Sequence, residues 1–142
     1  MKDELKDFGN APFVIDIDNV AVGNENFRLA LWTGSNLQLT LMSIEPGDDV
    51  GLEIHEIEDQ FFRVEKGRGR VLMGKTQDNL DFERYIFDDS IICIPAGTWH
   101  NIINTGKKPL KLYSIYAPAH HAHGTIHKTK ADAEAAELAE QN

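Results

Sequence analysis

The sequence predicts a single all-β domain, a sandwich or barrel of short strands, and three observations carry that expectation. Strand-like runs follow one another at roughly 8–12-residue spacing, separated by Gly, Pro, Asn or Asp. The 142-residue length is that of about one domain. No Gly-rich phosphate loop opens a helix, so a nucleotide-binding α/β fold is not expected.

The elements can be taken in order. Residues 1–10 are charged and patternless, the expected N-terminal arm of a barrel spanning 11–118. Phe13–Ile17 and Phe27–Trp32 are β-type runs, and Leu37–Leu41 alternates with period two, as a half-buried strand does. Pro46-Gly47 turns the chain into two further strands, Val50–His55 and Gln60–Val64, closed at Gly67-Arg68-Gly69. Val71–Met73 and Phe82–Phe87 come next, with Asp78-Asn79 between them. Ile91–Ile94 is a continuous apolar run, expected to be a strand buried on both faces. Trp99–Ile103 and Leu110–Tyr116 complete the series. The C-terminal segment, 119–142, carries a short helix over Thr129–Ala139, with Thr129 as N-cap and Asp132 three residues on.

Composition narrows the function. The apolar and charged fractions, 42% and 26%, are those of an ordinary soluble protein. A formal net charge of −9 argues against nucleic acid or an anionic membrane as the main partner, since both need a basic face. No apolar run approaches the ~20 residues that span a bilayer, and the N-terminus is too polar for a signal peptide. A cytoplasmic location is the expectation. Cys93 is the sole cysteine, so no internal disulfide forms; its isoleucine neighbours mark it as an inert core thiol.

Two stretches carry the chemistry. One runs from Gly47 through Glu53 and His55 to Gln60 and Gly67, and the other contains Pro95, Gly97, His100 and Asn104. Outside residues 120–127, His55 and His100 are the chain's only histidines. Their order and spacing resemble the two motifs of the cupin superfamily, small jelly-roll barrels that commonly hold one metal ion. The first family motif reads Gly, five residues, His-x-His, three or four residues, Glu, six residues, Gly. Here Glu53 replaces the first His and Gln60 the Glu. The second reads Gly, five residues, Pro-x-Gly, two residues, His, three residues, Asn, and only its opening Gly differs, being Asp89.

The resemblance covers roughly residues 30–117. It implies an all-β double-stranded β-helix (jelly-roll barrel) with a short C-terminal helix appended, and a metal site at Glu53, His55, Gln60 and His100. One divalent transition metal ion (Zn, Mn, Fe or Ni), a small polar ligand and a homodimer are expected with it.

On chemistry alone, residues 53 and 55 lie two apart on a strand and leave its same face. With His100 they make a two-His, one-carboxylate set suited to Fe(II) and tolerant of other divalent ions. Gln60 adds a neutral oxygen or a supporting hydrogen bond. Period-two logic by itself would turn Glu53 and His55 toward water and Leu52 and Ile54 toward the core. The cupin likeness reverses that, because such barrels keep a polar site inside an apolar cup. Phe62, Val64 and Ile102 then share the inward parity, and either Tyr113 or Tyr116 supplies a phenol. His120, His121, His123 and His127 are expected on an exposed or pocket-rim segment. No catalytic base is identified; Glu56 and Glu58 are candidates by proximity only. Sugar or sugar-phosphate isomerisation, Fe(II)-dependent dioxygenation and non-catalytic binding or sensing all remain open.

Overall fold

The computed structural model describes residues 5–140; the first four residues of the expected N-terminal arm and the last two of the C-terminal segment lie outside them. The described chain forms α1 (Ile17–Gly23), β1 (Arg28–Thr33), β2 (Gln38–Ile44), β3 (Asp59–Lys66), β4 (Arg68–Gly74), β5 (Phe82–Phe87), β6 (Ile91–Ile94), β7 (Trp99–Asn104), β8 (Leu110–Ala117), β9 (Ile126–His127) and α2 (Lys130–Glu140). Two antiparallel sheets face each other, ordered β6-β3-β8-β2-β1-β9 and β5-β4-β7. This is a double-stranded β-helix.

Between the sheets lies the main core. Met42, Ile44, Phe62, Val64, Ile92, Ile94, Leu110 and Leu112 come from the larger sheet, and Val71, Met73, Ile86 and Ile102 from the smaller. Each buried aliphatic or aromatic side chain removed from water contributes about 1.5–3 kcal/mol. Strand parity arranges this interior. Register pairs Arg28 with Met42, Ala30 with Thr40, Thr40 with Ser114 and Gln38 with Tyr116. Gln60 also lies opposite Tyr116, so these residues line one inward face, apolar at one end and polar at the other.

A second cluster covers the outside of the larger sheet. Leu29, Leu31 and Leu41 are buried there with Ala21 of α1, and Phe8, Phe13, Ile15, Ile17 and Val20 pack over them. The described part of the arm docks alongside β1, with Phe8 N–H donating to Leu31 O (2.8 Å) and Thr33 N–H to Gly9 O (3.1 Å).

Several sequence expectations are corrected here. Phe13–Ile17 forms no strand: its apolar residues serve the outer cluster, and Asp16 caps α1 by accepting from Asn19 N–H. Val50–His55 is not a strand either. Gly51 has φ +99°, a left-handed conformation incompatible with a continuous extended run, and only isolated bridges Asp49–Ile103 and Glu53–His100 remain. Ile91–Ile94 is buried on one face only; Ile91 is 58% exposed, and Cys93 is exposed rather than a core thiol. β6 ends the larger sheet, while the outer cluster is built on β1 and β2.

At the C-terminus, Thr129 Oγ1 accepts from Asp132 N–H (3.1 Å), capping α2 as the sequence indicates. Ala133 of that helix is buried in the main core, and Lys130 pairs with Asp48 and Asp49. Among the described residues no helix is long and apolar enough to cross a membrane.

Candidate metal centre

His100 stands on the inward face of β7, opposite Met73 of β4, and is fully buried at 0% exposure. Its Nδ1–H donates to Thr98 O (2.9 Å), which fixes the tautomer and leaves Nε2 as the lone-pair nitrogen. Nε2 has no hydrogen-bond partner. It lies 3.6 Å from Glu53 Oε1, while His55 Nε2 lies 3.3 Å from the same oxygen. The three ligand atoms fall within 4.8 Å of one another, a spacing that one ion can span.

The irregular 49–55 stretch is held against β7 by backbone hydrogen bonds. Glu53 N–H donates to His100 O (3.0 Å) and His100 N–H to Glu53 O (2.9 Å). Gly97 N–H donates to His55 O (2.8 Å), and Gly51 N–H to Asn101 Oδ1 (3.0 Å). The Glu53 carboxyl is buried, which opposes its ionisation. The neighbouring imidazoles of His100 and His55 nevertheless hold it well below the usual carboxylate range. An ionised carboxylate between two imidazoles is the donor chemistry a divalent cation selects.

Gln60, the fourth residue of the expected set, also points into the barrel. Its Nε2 donates to Ser114 Oγ (3.3 Å), and its Oε1 is buried with no partner. His55 Nδ1 is likewise buried without one. Ser114 in turn bonds Thr40 (3.1 Å), which anchors the amide's far side and leaves the carbonyl oxygen free.

Around this set stand residues that the sequence did not single out, or left open. Tyr116, not Tyr113, supplies the inward phenol; Tyr113 packs in the outer cluster. Burial pushes the Tyr116 hydroxyl far up, so it remains a neutral donor. His120 lies on the rim, its ring 4.3 Å from that of His55, with Nδ1 3.0 Å from Glu58 Oε1. His55, Glu58 and His120 thus form a second close group of potential ligand atoms. Gln38 places the segment that carries His120. Its Oε1 accepts from the backbone N–H of His120 and His121, and its Nε2 donates to His121 O. Burial, together with the charges of Arg28 and His120, pushes His121 down to about 2, and its Nε2 sits 3.3 Å from the Tyr116 hydroxyl. The available sequence signal was Gln38 itself, a polar residue within the alternating Leu37–Leu41 run. His123 and His127 belong to neither close group; they sit beside Asp7 and Arg28 respectively. Glu56 is exposed and lies outside both close groups.

The motif residues without donor chemistry are structural. Asn104 donates to Ile44 O (2.8 Å) and Lys108 O (2.9 Å) and accepts from Gly106 N–H, tying three turns together. Asp89, which stands where the family motif has Gly, keeps the left-handed conformation at φ +73°. Asp tolerates that region better than most side chains, and its carboxylate also receives Arg63 (2.9 Å).

Comparison with known proteins agrees with this geometry. The cupin domain family matches residues 40–116, more than half of the chain. YrkC of Bacillus subtilis, an uncharacterized protein, is 61% identical over 133 residues, covering 94% of this chain and 72% of that protein. An uncharacterized mimivirus protein, L612, is 41% identical over 118 residues, covering 82% of this chain and 72% of its own length. A Bacillus halodurans protein of known crystal structure is 61% identical, with a TM-score of 0.92 over 92% of this chain and 99% of that one. Sequence motifs, double-stranded β-helix and a clustered donor set inside the barrel all agree, and the chain belongs to the cupin domain family.

Proposed function

We propose that this cupin holds one divalent transition metal ion on Glu53, His55 and His100, with Gln60 as a neutral oxygen donor, and binds a small polar ligand beside it. The observation that carries this reading is His100: fully buried, committed at Nδ1, and unpartnered at an Nε2 that faces a carboxylate. A buried acceptor left unsatisfied costs about 1–3 kcal/mol, and a cation bound by this donor set removes that cost. Gln60 Oε1 is a second such acceptor.

When bound, the ion supplies Lewis acidity toward a carbonyl or hydroxyl oxygen of the ligand. The chain's own residues divide the remaining tasks. Glu53 stays ionised and neutralises part of the charge. Tyr116 offers a neutral O–H in the buried interior. His120, oriented at Nδ1 by Glu58, keeps its other nitrogen for exchanging a proton with a ligand at the rim. A proton carrier beside a Lewis-acid site supports carbonyl–hydroxyl isomerisation of the aldose–ketose type. A second reading, Fe(II)-dependent oxygen chemistry, is supported by the two-His, one-carboxylate set itself.

Elemental analysis of purified protein should give about one transition-metal ion per chain, and His100→Ala should lose it. Stoichiometric metal persisting in a His55→Ala, His100→Ala double variant would refute the site. Iron together with oxygen consumption would select the second reading; zinc, manganese or nickel with ketose formation would select the first.

A further inference from the structure

Arg28 is the largest fully buried side chain among the described residues, 1% exposed, and nothing in the metal reading uses it. It opens β1 and shares the barrel's inward face with Ala30, Thr40, Ser114 and Tyr116. A guanidinium is always charged and presents five donors in a planar fork, so burying one calls for an anionic partner. Among the described residues Arg28 forms no ion pair. Its one side-chain hydrogen bond is from Nη1 to His127 Nδ1 at 3.4 Å, and its Nε is buried with no partner. Phe27 offers the guanidinium only a ring face, 5.4 Å away. His127 is no counter-ion: burial and the Arg28 charge hold it neutral.

The unpaired fork and the metal site share the barrel interior. Arg28 lies on the same inward face as Tyr116, whose ring is 5.3 Å from that of His55. From Tyr116 the ring contacts run through His121 (5.1 Å) and His120 (4.8 Å) to His55 (4.3 Å). Asp49, Glu53, Glu134 and Glu137 line a cleft that shares Glu53 with the metal site, and its one cation among the described residues, Lys130, is already paired with Asp48 and Asp49, so a divalent phosphate would meet more repulsion there than a single carboxylate charge.

We propose that Arg28 is the anion anchor of the barrel, receiving in its fork the carboxylate of a small hydroxy or oxo acid whose neighbouring oxygen faces Glu53, His55 and His100. This deepens the reading of a metal-held polar ligand and rests on it for the second oxygen; the carboxylate contact itself does not. A bidentate guanidinium–carboxylate pair would satisfy the orphaned Nε, and a lysine ammonium at the same place would not reproduce it.

Calorimetric titration tests this with glycolate, with glycolamide (the same hydroxyl without the charge) and with inorganic phosphate. The wild-type protein is used as purified and after metal stripping, with metal content measured on every sample. Glycolate should bind at least about tenfold more tightly than glycolamide or phosphate. Arg28→Lys should weaken glycolate by at least about tenfold while keeping the wild-type metal content and leaving glycolamide unchanged. Equal glycolate affinity in wild type and Arg28→Lys overturns the proposal, as does phosphate binding more tightly than glycolate or no glycolate binding by wild type. If Arg28→Lys does not fold, the stripped wild type decides. A preference for glycolate over glycolamide that survives metal removal belongs to Arg28; one that vanishes overturns the anchor. A wild type that holds no metal in any preparation yet keeps that preference refutes the metal reading and leaves the anchor standing.

Discussion

The two histidine-bearing stretches reach the same site by different means. Residues 94–104 are a tight turn and a regular strand, and β7 pairs with β4 from Trp99 to Asn104, so the ladder alone sets the direction of His100. Residues 47–58 have no ladder of their own, only isolated bridges and a left-handed Gly51, yet they supply two of the three clustered donors. Their position is copied from the strand, through the reciprocal Glu53–His100 backbone pair and the Asn101 side chain. The regular stretch is therefore the template and the irregular one is fitted to it. Geometry at such a site is only as good as the hydrogen bonds that join the two.

The sharpest way to break this comparison is to move charge within the irregular partner. Glu53→His removes the one carboxylate of the set and should weaken metal retention by at least about tenfold in chelator competition. Gln60→Glu adds a carboxylate on β3 and should tighten it. Combined, the two should recover more affinity than the sum of the singles, because together they restore one carboxylate across the site. Strictly additive affinities would remove Gln60 from the donor set.

A smaller effect tests the template idea on the backbone. An added Cβ at Gly51 would meet no atom within 4 Å, so Gly51→Ala carries only the cost of φ +99°. That cost should be about 1–3 kcal/mol in denaturant unfolding, with metal affinity falling in parallel as Glu53 is displaced. Unchanged metal affinity in a destabilised protein would mean the ligand loop does not need its fitted conformation.

The gentlest probe is pH, applied to metal-stripped protein. His121 is neutral when folded down to about 2 but takes a proton below its ordinary 6.5 when unfolded. Folding stability should therefore fall as pH drops below 6.5, by at most about 1.4 kcal/mol per unit from this group. Glu53 acts in the same direction lower down: its folded pKa lies below the ordinary 4.5, so the stability it adds is lost as pH falls through and beneath that value. His121→Asn should flatten the decline between 6.5 and 4.5 and leave the part below. Thermal melts across pH 3–8 would show this, and an unaltered profile would remove His121 as its source.

Much of the fold was legible because its strands alternate or are bounded by turn residues. β2, β3, β5, β7 and β8 all coincide with runs visible in the sequence. The misreadings have physical causes. Phe13–Ile17 looks like a strand because its apolar residues cover a sheet rather than join it. Ile91–Ile94 looks doubly buried because an edge strand can carry isoleucine on an open face. Val50–His55 gave the right neighbours on a wrong element: residues two apart do reach one point, through a kinked segment rather than a strand.

The sequence by itself determined that this is a cupin barrel and singled out Glu53, His55, Gln60 and His100 as candidate ligands, since local alternation and motif spacing are written in consecutive residues. Only the tertiary structure decided which groups surround them. Arg28, Gln38, Tyr116 and His120 come from four separate elements, and their meeting depends on strand register and on the Gln38 clamp over the last segment. No local pattern encodes such contacts, because a side chain's partners across a barrel are fixed by pairing between residues some eighty positions apart.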